Sequence, residues 1–312
     1  MFILFLAALL LSACGQSYEE KKRISRQQRI RQLREDSAAL KVAVMPTLDC
    51  LPLFVAKDCH LFDTLGADVR LKLFNAQMDC DTAISHRRVE VVVSDLVRIE
   101  HLIDQGTPLE YLTSTGAYWQ LITNRSTRIR QLKGLDDKMV AMTRYSVTDL
   151  LADLAVDSAG LKPERVFKVQ VNDVNIRLRM LQNNEMDALL LTEPQATEAR
   201  IAHHRVLLDT RQMDMNMGVM AVAGRIAKDS TRQLQLEVLR KGYNLACDSL
   251  NKYGIGHYQP ILSKYYGLKS QLADSLPRNF KFAHYTKPRD TDKERARKWL
   301  DKTMNALRAT RK

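Results

Sequence analysis

Apolar positions along this chain fall into two kinds of short segment. Dense runs of Val, Leu, Ile and Met occupy residues 40–45, 89–93, 139–142, 188–191 and 218–223. Residues 68–74, 109–114, 118–123, 166–171 and 205–208 are more mixed, and 68–74 alternates apolar and polar. Dense runs of this length suit strands covered on both faces, and alternation suits half-buried strands. Between them lie segments of helical character at 51–57, 79–85, 96–105, 146–159, 175–183 and 195–203. Pro46 stops the first strand, Gly106 and Gly160 close helices, and Asp173 can cap the helix after it. The last part of the chain is helical, at 230–253, 258–266, 270–275 and 291–309.

Strand and helix alternating through short links predict an α/β fold with sheets rich in parallel strands. The pattern runs through two cycles, returns once through 218–223, and ends in helices. It therefore predicts two lobes. Lobe one would be discontinuous, residues 40–124 plus 213–312, and lobe two would be 125–212. Two crossings, near 123–125 and 210–217, would form a hinge.

The first residues change the picture. Residues 2–13 are an uncharged apolar run, too short to span a bilayer but suited to a signal peptide, although no Lys or Arg precedes it. The run ends in Leu11, Ser12, Ala13 and Cys14, which resembles the lipobox of bacterial lipoproteins. The resemblance implies a signal peptide of residues 1–13 and lipid on Cys14. Residues 14–38 would be a tether to the periplasmic face of the envelope. The net charge of +12 is concentrated at the ends, with seven Lys/Arg between Lys21 and Arg34 and twelve between Arg278 and Lys312. No zinc-finger spacing or RNP-like aromatic motif accompanies it, so a membrane-proximal role is expected and nucleic acid is not. Cys50, Cys59, Cys80 and Cys247 remain, either as reduced thiols or with disulfides among them; their spacing is not that of a metal site.

Several stretches in order carry a family resemblance. Val42 to Pro46 is followed by Leu51, Pro52, Leu53, Ala56, Lys57, Leu61 and Phe62. Further along come Val93 to Leu96, Leu132 to Leu135, Met142 to Thr148, Arg177 to Leu181, Met186 to Leu190, Thr192 to Pro194, then Pro277, Phe280 and Trp299. Over residues 40–305 this resembles the substrate-binding proteins of ABC importers with the type II periplasmic binding fold, in the nitrate, sulfonate, taurine and thiamine-pyrimidine branch. Arg88 and Cys59-His60 stand where that family often has Gly. The resemblance implies a solute bound between the lobes, a monomer that delivers it to a permease and its ATPase, and no catalysis or cofactor.

In open α/β sheets, ligands meet the loops after the carboxyl ends of strands. That rule selects Thr47 and Asp49 after the first strand, Ser94 and Asp95 after the third, and Glu193 after the strand at 188–191. It also selects the loop of Thr143, Arg144, Tyr145, Ser146 and Thr148. There the hydroxyls, the helix N-terminus and the Arg144 guanidinium suit an anion, while Ser146 equally suits a helix cap. Tyr118 and Trp119 lie near the expected hinge, where an aromatic can stack on a flat solute. The expected function is capture of a small polar solute, anionic or heterocyclic. The alternatives are an enzyme on the same fold, of the menaquinone-pathway or pyrimidine-synthesis type, and a lipoprotein that has lost its ligand.

Overall fold

The computed structural model describes residues 18–278 and 280–310, so Cys14 and the apolar run before it lie outside the described residues. The described chain divides into two compact units at Ala39 and Leu40. The first is a single helix, α1 (Tyr18–Ala38), polar on all sides and carrying an Arg31–Glu35 pair at 2.8 Å.

The second unit holds both sheets. Its first cycle is β1 (Leu40–Val44), α2 (Leu51–Asp58), β2 (Val69–Leu73), α3 (Gln77–Ser85), β3 (Val91–Asp95), α4 (Leu96–Asp104) and β4 (Leu109–Ser114). The second is β5 (Gln120–Thr123), β6 (Lys138–Met142), α5 (Val147–Ala159), β7 (Val166–Gln170), α6 (Val174–Gln182), β8 (Ala188–Leu191), α7 (Gln195–Ile201) and β9 (Arg205–Asp209). The chain returns as β10 (Gly218–Ala223) and ends in α8 (Ser230–Tyr253), α9 (Gln259–Tyr266) and α10 (Asp290–Thr310).

The sheets share one plan, β2-β1-β3-β10-β4 and β7-β6-β8-β5-β9. In each, the first three strands are parallel and the fourth is antiparallel to both neighbours. The fourth strand runs backwards because it arrives from the other lobe: β5 enters the second sheet directly after β4, and β10 comes back after β9. The dense apolar runs became central strands, with β3, β8 and β10 buried along their whole length. The mixed segments β2, β7 and β9 became edges, as half-covered strands should.

One expectation about sheet membership needs correction. The sequence pattern puts 118–123 in lobe one, but β5 pairs with β8 and β9 in the second sheet. Two strands around Gly116 look like neighbours in one sheet, yet Leu121 and Ile122 are completely buried in the other. The first crossing is therefore 115–119. It is tied to the second crossing, since Thr210 N–H donates to the Trp119 carbonyl at 3.1 Å and Thr115 N–H to the Gly218 carbonyl at 2.9 Å. Gly218 is required by this close approach: a Cβ there would lie 2.3 Å from Thr115 Oγ1 and 2.7 Å from Ala117 Cβ. A third link is α10, where Trp299 Nε1 of the tail donates to Asp153 Oδ2 of α5 at 3.0 Å. Cys50, Cys59, Cys80 and Cys247 are all free thiols, and only Cys59 is exposed.

Candidate functional site

The carboxyl ends of both sheets face one cavity of about 70 Å3 between the lobes. Lobe one contributes Met45, Thr47 and Asp49 after β1, Gln77 at the start of α3, and Val93, Ser94 and Asp95 of β3. Lobe two contributes Thr143, Ser146, Val147 and Thr148 after β6, Asn172 and Val174 after β7, Arg177 of α6, and Thr192 after β8. Ala117 and Trp119 of the first crossing complete the lining.

Seven of the expected residues thus meet at one place: Thr47, Asp49, Ser94, Asp95, Thr143, Ser146 and Thr148. Asp49 is buried and accepts from Thr115 Oγ1 at 3.0 Å. Burial pushes its carboxyl above the usual range, against the pull of the Thr47 and Thr115 hydroxyls. Ser94 Oγ accepts from Gln77 Nε2 at 3.0 Å. Asp95 caps α4 by accepting from Arg98 N–H at 3.0 Å, and the same Oδ1 accepts from Val147 N–H of lobe two at 3.0 Å. Burial raises the Asp95 pKa to about 7 despite these bonds. Arg98 is occupied elsewhere, in a buried pair with Asp81 and in a 2.9 Å bond from Nη1 to the Arg144 carbonyl across the lobes.

The loop before α5 is not an open anion seat. Ser146 Oγ accepts from Thr148 N–H at 3.1 Å and donates to the Thr143 carbonyl at 2.7 Å, while Thr143 N–H donates to Thr148 Oγ1 at 2.9 Å. Asp149 N–H reaches the Ser146 carbonyl at 3.0 Å. With Val147 N–H on Asp95, the first three N–H groups of α5 all have acceptors within the chain. Arg144 is exposed and outside the lining. Tyr145 also lies outside it, half-buried at φ 54° with its ring stacked on His101 at 4.5 Å. Glu193 is fully buried and does not reach the cavity. It accepts from Tyr118 Oη at 2.5 Å, Thr197 Oγ1 at 2.6 Å and Arg200 Nη2 at 2.7 Å, so it braces the start of α7 against the hinge. Its carbonyl accepts from Leu48 N–H of lobe one at 2.8 Å.

The arginine at the cavity is Arg177, which is 4% exposed. It donates from Nε and Nη2 to the Val171 carbonyl, from Nη1 to the Leu190 carbonyl at 2.7 Å, and from Nη2 to Thr143 Oγ1 at 2.7 Å. These four bonds leave one of its five N–H donors. None of its partners is a carboxylate, and burial pulls its pKa down to about 10. Sequence reasoning missed its role, although a signal was present. Val174, Arg177, Leu178 and Leu181 are the buried positions of α6, at helical spacing, so a charged residue occupies the apolar stripe.

Two like-planned sheets joined by two crossings, with a cavity at their facing carboxyl ends, define a two-lobed periplasmic binding fold of type II. Solved structures agree. The alkanesulfonate-binding protein SsuA from Xanthomonas axonopodis pv. citri, bound to MOPS, aligns with a TM-score of 0.70 at 15% identity, over 88% of this chain and 93% of its own. The aliphatic sulphonate binding protein SsuA from Escherichia coli gives 0.70 at 16% identity, over 86% and 93%. The nitrate-binding protein NrtA from Synechocystis PCC 6803 gives 0.65 at 12% identity, over 81% and 74%. No curated protein matches by sequence. Residues 34–238 match the NMT1-like family, and the chain belongs to that family.

Proposed function

We propose that the chain captures a small polar solute between its lobes for an ABC importer, and that it works at the periplasmic face of the membrane, anchored by lipid on Cys14. The anchor rests on the apolar run of residues 2–13 and the lipobox-like Leu11 to Cys14. The solute role rests on Arg177. A guanidinium buried beside a cavity with no carboxylate among its hydrogen-bond partners is a costly arrangement that an anionic group of a ligand would offset. The solute accordingly carries an anionic group at Arg177, and Trp119 offers a face for a flat body. The solute bridges the lobes, is released to a permease and its ATPase, and leaves chemically unchanged. The chain acts as a monomer.

Mass spectrometry of small molecules released by denaturing freshly purified full-length chain identifies the solute, and the intact mass reports acyl chains on Cys14. Calorimetric titration of that solute then tests Arg177. Arg177→Lys keeps the charge but loses the planar fork, and affinity should fall by about 1.5–3 kcal/mol, the range for hydrogen bonds to charged groups. Arg144→Ala should leave affinity unchanged. An unchanged affinity in Arg177→Lys, or a solute chemically altered on incubation with the chain, contradicts the reading.

A further inference from the structure

The donors at the N-terminus of α5 and the Asp95 carboxyl come from opposite lobes and meet inside the cavity. Val147 N–H is the first donor of a helix of 13 residues and points from lobe two. Asp95 Oδ1 reaches it from lobe one at 3.0 Å while still capping α4 through Arg98 N–H at 3.0 Å. A helix N-terminus of this kind otherwise attracts oxyanions, through its free N–H groups and its dipole. Here the next two donors are also taken, Thr148 N–H by Ser146 Oγ and Asp149 N–H by the Ser146 carbonyl. Asp95 is 5% exposed, so a second oxyanion beside it would stand close to a like charge with little water between them.

We propose that Asp95 is a specificity-determining residue: its carboxyl fills the anion seat at the N-terminus of α5 and so excludes sulfonate, sulfate or phosphate oxygens from it. This rests on the cleft being the solute site and narrows the solute class. The anionic group of the solute must sit at Arg177, and the part facing α5 must be neutral or present a hydrogen-bond donor to the Asp95 carboxyl. A solute with oxyanions at both ends is rejected.

The test uses inorganic sulfate as the probe, so it needs no knowledge of the natural solute. Full-length wild type, Asp95→Ser and Asp95→Asn are titrated with sulfate at pH 8 and constant ionic strength, followed by calorimetry and by the amide resonance of Val147. Serine is a good N-cap, so Asp95→Ser keeps α4 capped but removes the charge. Asp95→Asn keeps an oxygen in the seat and shows what the charge alone contributes. Asp95→Ser should bind sulfate at least tenfold tighter than wild type, with the Val147 resonance moving as sulfate is added. Asp95→Asn should lie between the two. Folded Asp95→Ser that gains no sulfate affinity overturns the proposal, as does wild type that binds sulfate equally well with the same Val147 shift. Loss of natural-solute binding in Arg177→Lys alone bears on the solute reading and leaves the sulfate result intact, so the two can fail separately.

Discussion

The two walls of the cleft meet the cavity with opposite chemistry. Lobe one presents carboxyls, Asp49 and Asp95, and lobe two presents the Arg177 guanidinium. All three are buried, and none has an opposite charge among its hydrogen-bond partners. Burial pushes both carboxyls up, Asp95 to about 7, so Asp95 carries its charge above that pH and gives it up below. The guanidinium is pulled down only to about 10, so it stays charged at every physiological pH. The walls are therefore not an ion pair waiting to form. Asp95 can shed its charge by taking up a proton, while Arg177 keeps its own, eased by the Asp173 charge but by no carboxylate in hydrogen-bond contact.

The largest effect expected from breaking this contrast is at Arg177. Arg177→Met removes a cation that is expensive to bury, but it also strips partners from the carbonyls of Val171 and Leu190 and from Thr143 Oγ1. A buried acceptor left unsatisfied costs roughly 1–3 kcal/mol, which outweighs the relief, and the net loss of stability should be about 3 kcal/mol. Denaturant unfolding without solute measures it. Arg144→Met, on an exposed position, should stay within about 0.5 kcal/mol of wild type. Equal effects at the two positions would mean that Arg177 is not the buried brace described.

A smaller effect, on the other wall, depends on pH. Asp95 has its carboxyl raised from 3.8 to about 7 in the folded chain. Between those values the folded chain holds a proton that the unfolded chain has released, so this group lowers stability as pH rises through the window. Asp95→Asn cannot ionise, and its Oδ1 still accepts from Arg98 and Val147. Its stability should therefore gain on wild type as pH rises from 4 to 7, by at most about 1.4 kcal/mol per pH unit, and the gap should flatten above 7. Unfolding curves of both proteins across that range read the difference. A constant gap would show that Asp95 ionises normally.

Much of this architecture was legible because burial and periodicity coincide. β3, β8 and β10 are dense apolar runs for the plain reason that helices cover both faces, and the loops after β1, β3 and β6 follow from where the sheets end. What the sequence hid was which sheet a strand joins and which way a side chain points. β5 is separated from β4 by a few residues, and nothing local distinguishes a neighbour from a strand that crosses to the other lobe. Arg144 and Arg177 differ in the same way. Arg144 lies in the expected loop and is exposed, whereas Arg177 lies three elements later and turns inward from α6. Helical phase marks the second but not the first, because loops have no phase. Glu193 lies at the carboxyl end of β8 as expected, but Tyr118, Thr197 and Arg200 hold its side chain away from the cavity.

Ser146 decides between two roles that its sequence position leaves equal. It begins a helix at the cleft, so it could serve a solute or the helix. The structure gives its hydroxyl to the helix at both ends: Oγ accepts from Thr148 N–H at 3.1 Å and donates to the Thr143 carbonyl at 2.7 Å. Thr148 Oγ1, also at 2.7 Å, closes the ring. Losing an N-cap hydroxyl costs about 1 kcal/mol, so Ser146→Ala should lower unfolding stability by that amount. Solute affinity should change by much less, because none of these bonds is free to be exchanged for a ligand. The direction matters more than the size. If Ser146→Ala weakens solute binding by tenfold or more while stability is unmoved, the loop before α5 is a solute site after all. The contrast between the walls would then fail on the lobe-two side, since that wall would be holding the solute with hydroxyls as well as with Arg177.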